Sequence, residues 1–321
     1  MYRGLIIASP TLITAEVISS WLGTGNEIAE VWCCEPDSPL LKPPKSLSGR
    51  IFPEFDPVRV LQRAGVKVRF CPPLRHWADA NRAARATGAD VLMTVLTLNI
   101  VPREILSVFD GRAINFHPSL LPDYRGPAPR QGMLLDGRAD EFGGITMHCL
   151  TEGIDEGAII AQRRCPPSSA ANMFDWNHMI ARGGANMVEC ELQAYLKGSL
   201  EAREQLPGSG SYRRVSPSEK MLTSSLTLEE LEKRFRDVGR FFAMSWAVDA
   251  GQKPVTVTRV FSKLGPATGK PTKVTLFFLE VDIHGARVRL RRKSFCSQIR
   301  KVVARLSAMR KWQRKNGRQG A

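Results

Sequence analysis

Residues 90–98 read Asp-Val-Leu-Met-Thr-Val-Leu-Thr-Leu, the strongest buried-strand run in the chain. A strand that is apolar on both faces has to lie inside a sheet covered on two sides. The residues before it repeat the pattern. Residues 4–8 are a short apolar run stopped by Ser9-Pro10. Ala15, Val17, Ile18, Trp21 and Leu22 follow at roughly helical spacing, ending at Gly23 and Gly25, and 28–34 reads as a second strand. Residues 58–64 read as a helix, 66–70 as a strand and 78–86 as a helix. This alternation predicts an α/β domain, a mostly parallel sheet with helices on both faces. In such a sheet the ligand crevice lies at the carboxyl ends of the strands. Gly23-Thr24-Gly25 is no dinucleotide fingerprint, because it follows a helix, precedes a strand and lacks the third glycine.

Further along, 113–116 and 144–150 are strands. The second is expected to pair with 159–164 across a turn framed by Gly153 and Gly157. Helical spacing runs through 173–196, weakened at Gly183-Gly184 by up to about 1 kcal/mol per glycine relative to alanine. At 321 residues the chain exceeds twice a domain of roughly 150 residues, which predicts two domains. A first domain over 1–205 is expected to be joined by a Pro/Gly/Ser-rich linker, 206–221, to a smaller one over 222–321. In the latter, Thr227-Leu228-Glu229-Glu230 fits a capping box, and Leu228, Leu231, Phe235 and Val238 share one helix face. Residues 255–261, 273–281 and 286–290 read as strands, with a hairpin at His284-Gly285, and 296–312 as a basic helix. A helix followed by a small β-barrel-like (OB-type) sheet is the expected architecture, and oligonucleotide-binding barrels belong to that class.

Lys+Arg number 46 against Asp+Glu 31, a formal net charge of +15. No acidic residue follows Asp282, whereas Arg287, Arg289, Arg291, Arg292, Lys293 and further cations out to Arg318 do. Residues 40–55 add Lys42, Lys45 and Arg50 in a proline-rich loop. Such asymmetry predicts a polyanionic partner, nucleic acid or an anionic membrane surface. The seven cysteines form no CxxC pair and no metal-ligand spacing, which reads as reduced thiols in a cytoplasmic protein without a metal. Pro10 and Glu16 interrupt the first apolar run, so it reads as a strand and helix rather than a signal peptide. No run reaches the roughly 18 apolar residues of a membrane span, and stable membrane insertion is not expected.

Asn115 and His117 lie two residues apart, on one face of an extended segment. Asp155 follows within Glu152-Gly153-Ile154-Asp155-Glu156-Gly157. An amide, an imidazole and a carboxylate can stabilise an oxyanion and move protons, which acyl transfer to an amine requires. In extended form, Asn115-Phe116-His117-Pro118-Ser119-Leu120-Leu121-Pro122-Asp123-Tyr124-Arg125-Gly126 closely resembles the signature of the folate-dependent formyltransferases. Gly144-Ile145-Thr146-Met147-His148 and residues 152–160 match the later block of that family. The resemblance covers roughly residues 1–200.

It implies a Rossmann-like catalytic domain, 10-formyltetrahydrofolate as formyl donor, and Asn115, His117 and Asp155 as catalytic residues. Folate is implied to lie against the 96–102 loop (Leu96, Leu98, Ile100) and the 147–155 segment with Glu152. Ser119, Leu120, Leu121 and Pro122 line the site. Thr97 and Leu98 stand where the family usually has an aromatic residue and a glycine. The acceptor is a separate question, because one fold serves many substrates. The basic loop and basic C-terminal region suit methionyl-tRNA. Residues 211–217 look more like the branch acting on nucleotide-linked amino sugars, and Met221-Leu222-Thr223 departs from both branches. A non-enzymatic RNA-binding relative is the remaining alternative.

Overall fold

The computed structural model describes residues 1–43, 51–239, 241–247 and 254–293, together with 307, 309 and 310. Part of the basic 40–55 loop, Cys296 and nearly all of the helix expected over 296–312 lie outside the described residues. The chain divides into two compact units, one of residues 1–130, 139–171 and 175–214, the other of 131–138, 172–174 and 215–321.

The first unit holds a seven-stranded sheet of order β3-β2-β1-β4-β5-β6-β7. Strands β1 (Arg3–Ala8), β2 (Glu27–Cys33), β3 (Val68–Phe70), β4 (Val91–Val95) and β5 (Ala113–His117) run parallel. Strands β6 (Gly144–Cys149) and β7 (Ile159–Arg164) are antiparallel, the pairing expected for these two segments. All five residues of β4 are buried, as its composition demands. The strand stops three residues sooner than its apolar run, because Leu96 turns the chain with a left-handed backbone (φ 51°).

Leu5, Ile7, Trp32 and Leu92 pack on one face against Leu74, Ala80, Ala84, Val101, Ile105 and Phe109. The other face carries α1 (Leu12–Gly23), which ends at Gly23 and Thr24 as its glycines predict. There Trp21 is fully buried, donates its indole N–H to the Glu27 carbonyl (2.7 Å) and lies against Gly4. The helix expected over 173–196 is three pieces, Met173–Met187, a π-helical turn at Val188–Leu192 and a last turn at Gln193–Leu196. Its glycine pair has a packing reason. A Cβ on Gly183 would stand 3.1 Å from Ile145 and Arg163 side chains, and one on Gly184 3.2 Å from Ile145, so the glycines let the helix lie close on β6 and β7. What they cost in helix propensity is offset by that burial.

In the second unit, Leu228–Arg234 is a helix opened by the predicted capping box. Thr227 accepts from the Glu230 N–H (3.2 Å), and Glu230 accepts from the Thr227 N–H (2.8 Å). Beside it is a six-stranded curled sheet of order β11-β12-β13-β10-β9-β8, in which β8 is Met221–Leu222, β9 Met244–Trp246 and β10 Val255–Gly265. The strand expected over 273–281 is broken into β11 (Lys273–Val274) and β12 (Phe278–Ile283) by a turn in which Thr275 accepts from the Phe278 N–H (3.1 Å). The hairpin to β13 (Ala286–Arg292) closes at Gly285, φ 74°. Part of the basic excess is paired here: Arg287 meets Asp282 (3.0 Å) and Arg289 meets Glu280 (2.6 Å). No helix among the described residues is long and apolar enough to cross a membrane.

Candidate active site

The strand order reverses between β1 and β4, and the carboxyl ends of strands at such a reversal form a ligand crevice. Ser9, just past β1, donates from its backbone to the Val95 carbonyl (3.2 Å) and from its hydroxyl to the Leu96 carbonyl (2.9 Å). This fixes the start of the 96–102 loop at the crevice. Leu96 and Ile100 are half-buried there and Leu98 is 75% exposed. Across the crevice mouth Arg103 pairs with Glu152 (3.4 Å), tying this loop to the one that carries Asp155.

Three neighbouring strands then present polar side chains in one row. The parallel register sets Thr94 beside Asn115, and the antiparallel register sets Asn115 beside His148. The Thr94 hydroxyl donates to Asn115 Oδ1 (2.7 Å), so the amide nitrogen must face the other way. It donates to His148 Nε2 (3.0 Å) and to Asp155 Oδ1 (3.2 Å). His148 Nδ1 lies 2.8 Å from the Cys149 carbonyl, which can only accept. Its proton therefore sits on Nδ1, and Nε2 is free to receive the Asn115 hydrogen.

His117 is oriented by the same logic. Its Nε2 donates to the Tyr124 carbonyl (2.9 Å), leaving Nδ1 facing Asp155 Oδ2 at 3.4 Å. A proton taken up by this ring arrives at Nδ1, beside the carboxylate. Burial pushes the His117 imidazole below its usual range, opposed by the Asp155 charge and the Tyr124 carbonyl. For Asp155, burial works to raise the pKa, but the His117 and His148 rings and the Gly126 N–H (2.9 Å) outweigh it. The carboxyl is held well below the usual carboxylate range. At neutral pH the site thus pairs a neutral imidazole with an ionised carboxylate. Asp155 also has a left-handed backbone, φ 55°.

These shifts have a stability consequence. The half-buried His178 imidazole is likewise held low, at about 4, by desolvation of its ring and by Arg182. Both rings lie below their unfolded values, so the unfolded chain takes up protons first as pH falls. Stability is therefore full above about pH 6.5 and declines below it. Glu16, whose carboxyl is raised by burial, works in the opposite sense at the acid end. Urea midpoints are expected to be lower at about pH 5 than at neutrality; an equal or higher midpoint at pH 5 would contradict this.

The structure brings Asn115, His117 and Asp155 together as expected from the chain. It treats the other expected residues unequally. Ser119 is fully buried; its hydroxyl donates to the Asp123 carbonyl (2.9 Å) and shapes the loop. Leu121 is also buried, held by Thr146, which accepts from its N–H (3.1 Å). Leu120 packs over Gly144, and Pro122 accepts from the Ser211 N–H (3.3 Å). Two members of the polar row, Thr94 and His148, were not among the expected catalytic residues, since only the strand registers bring them to Asn115.

The sequence pattern of the formyl transferase family matches residues 50–173. It is 31% identical over 179 residues to a methionyl-tRNA formyltransferase of Halorhodospira halophila, covering 56% of each chain. It is 28% identical over 241 residues to that of Herpetosiphon aurantiacus, covering 73% of each. The match to the Listeria welshimeri enzyme spans 41% of that protein's length. Among solved structures, an N-formyltransferase from Helicobacter canadensis, in complex with folinic acid and dTDP-3-aminofucose, superposes with TM-score 0.55 at 17% identity. That match covers 90% of this chain and 99% of that one. HypX from Aquifex aeolicus does so with TM-score 0.56 at 15% identity, over 90% of this chain and 43% of its own. At such identities the likeness is one of architecture.

Proposed function

We propose that this protein transfers a formyl group from 10-formyltetrahydrofolate to a primary amine, and that the amine is the amino group of methionyl-tRNA. The observation that carries the reaction is the convergence of Asn115, His117 and Asp155 at the carboxyl edge of β5. An amine attacking a formyl carbon builds negative charge on the formyl oxygen, which needs a fixed donor. The Asn115 amide is such a donor, its orientation set by Thr94. Its hydrogen toward Asp155 is the longer bonded of the two, and is the one a formyl oxygen can take over. The amine must lose a proton, and the folate nitrogen must gain one as its bond to the formyl carbon breaks. Asp155 can accept the amine's proton through a water, or His117 can receive it at Nδ1 with Asp155 stabilising the charged ring. The exposed Leu98 and half-buried Leu96 and Ile100 offer apolar surface of the kind a pterin ring would cover.

Thr94→Val keeps the shape and removes the hydroxyl that orients the amide. Turnover is expected to fall about tenfold, the value of one hydrogen bond in the transition state. Steady-state kinetics check it, and unchanged kcat would show that Asn115 needs no orienting partner.

The acceptor rests on the basic surplus and on the relatives named for methionyl-tRNA. A transferase that grips tRNA phosphates should show an acceptor KM that climbs steeply with salt. A specific observation keeps a second reading open. Ser211, Tyr212 and Arg213, at the start of the 211–217 stretch that resembles the amino-sugar branch, lie against Arg125 and Gly126 at the site. The test offers charged initiator tRNA beside a panel of nucleotide-linked amino sugars. Formylated methionyl-tRNA with strong salt dependence is expected; formylation of a sugar and never of tRNA would replace the first acceptor by the second.

A further inference from the structure

We propose that Gln205 is a positioning residue for the Asp155 carboxylate, an inference that rests on the reaction proposed above and deepens it. Asp155 sits in the left-handed region, which is unfavourable for a residue with a Cβ, so the surrounding contacts must hold it there. Gln205 supplies such contacts. Its Nε2 donates to the carbonyl of Asp155 itself (2.9 Å) and to that of Gly157 (2.8 Å), clasping the turn on both sides of the strained residue. Its Oε1 accepts from Arg125 Nη2 (2.7 Å). Arg125 directly precedes Gly126, whose N–H holds Asp155 Oδ2. One side-chain amide thus joins the loop that carries the carboxylate to the loop that aims it.

Gln205 is itself held by backbone pairing on both sides. Arg203 and Ile159 exchange N–H···O bonds of 2.7 and 2.8 Å. Downstream, Arg125 donates to the Ser211 carbonyl (2.8 Å) and accepts from the Arg213 N–H (2.9 Å). Gly210 passes so close to Pro122 that a Cβ would lie 2.0 Å from its carbonyl oxygen. Residues 203–213 therefore strap over the two loops. The charged and titratable groups around the carboxylate are His117 on β5, His148 on β6, and Arg125 and Glu156 on the loops. With the turn clasped, Oδ2 stays at Gly126 and His117 while Oδ1 stays at Asn115 and His148.

Two variants of the full chain test this. Gln205→Met keeps the length and removes every hydrogen bond. Gln205→Glu keeps an acceptor for Arg125 and removes both donors to the turn. Both are expected to lower kcat on the order of 10- to 100-fold, the effect of a slightly misplaced catalytic group, with KM for the formyl donor nearly unchanged. Both should also shift the His117 imidazole titration, read by NMR without substrate, to lower pH, because the carboxylate that supports its charged form has moved away. A Gln205→Glu enzyme as active as the parent, or a His117 titration unmoved in both variants, overturns the proposal. A general loss of folded protein would lower kcat without moving that titration. Should the methionine variant fail to fold, the glutamate variant carries the same comparison. A shifted titration in a protein that formylates no acceptor would sink the proposed reaction and leave the positioning role standing.

Discussion

Asp155→Asn is expected to lower turnover by about 10²–10⁴-fold while the protein still folds cooperatively. The carboxylate accepts from two donors, the Gly126 N–H and the Asn115 amide, and lies beside His117 Nδ1, where a proton taken up by that ring arrives. An asparagine fits the same space but must turn its NH2 toward one of them. Against Gly126 it sets donor against donor, and against Asn115 it does the same. It also removes the negative charge that stabilises a proton on His117 Nδ1. His117→Ala, which removes the other half of the pair, should cost a similar factor. Single-turnover rates beside thermal melts separate lost chemistry from lost fold. Near-parental turnover in either variant would remove that residue from the mechanism.

Gly157→Ala is expected to destabilise the protein by about 3 kcal/mol. An added Cβ would stand 1.9 Å from the Cys149 carbonyl oxygen and 2.8 Å from its carbon. Neither atom can rotate away, because they are backbone at the end of β6. That strand end is pinned on both sides. Cys149 donates to the Ala158 carbonyl (2.9 Å), and Leu150 donates to that of Ala113 (2.7 Å). The β6–β7 pair would have to open, carrying the Asp155 turn with it, so activity should fall as well. Gly153→Ala is the control within the same loop. There the nearest obstacle is the carboxylate tip of Glu156, a side chain free to swing aside, and a cost within about 0.5 kcal/mol is expected. Urea unfolding of the two variants measures the contrast; equal stabilities would show that Gly157 is dispensable.

How far the chain could be read in advance follows from which interactions are local. Strand and helix alternation, the Thr227 capping box, the β12–β13 hairpin and the glycine stop of α1 depend on residues a few places apart, and each is found where expected. Asn115 and His117 were legible because two residues along one strand share a face. His148 was not, because its partner lies thirty-three residues away and only the antiparallel register of β5 and β6 joins them. Thr94 was hidden in the same way, inside a run whose apolar character drew all the attention. The early end of β4 depends on one left-handed residue, Leu96, of a type that rarely adopts that conformation. Gly183 and Gly184 looked like a weakness because propensity is a local quantity, while the close packing they permit on Ile145 and Arg163 is not. Residues 206–221 had a linker's composition, yet Ser211 and Arg213 are paired to the loop at Arg125, contacts that composition cannot announce.

Asn115, His117 and Asp155 are expected to act together to move a formyl group onto an amine. Mass spectrometry of the acceptor measures it directly. The purified full chain is incubated with 10-formyltetrahydrofolate and charged initiator tRNA or nucleotide-linked amino sugars, alongside the Asp155→Asn variant under the same conditions. The parent protein is expected to formylate one acceptor on its amino group, and the variant to give product near the uncatalysed level. No formylated acceptor from the parent, or equal product from both proteins, would contradict this.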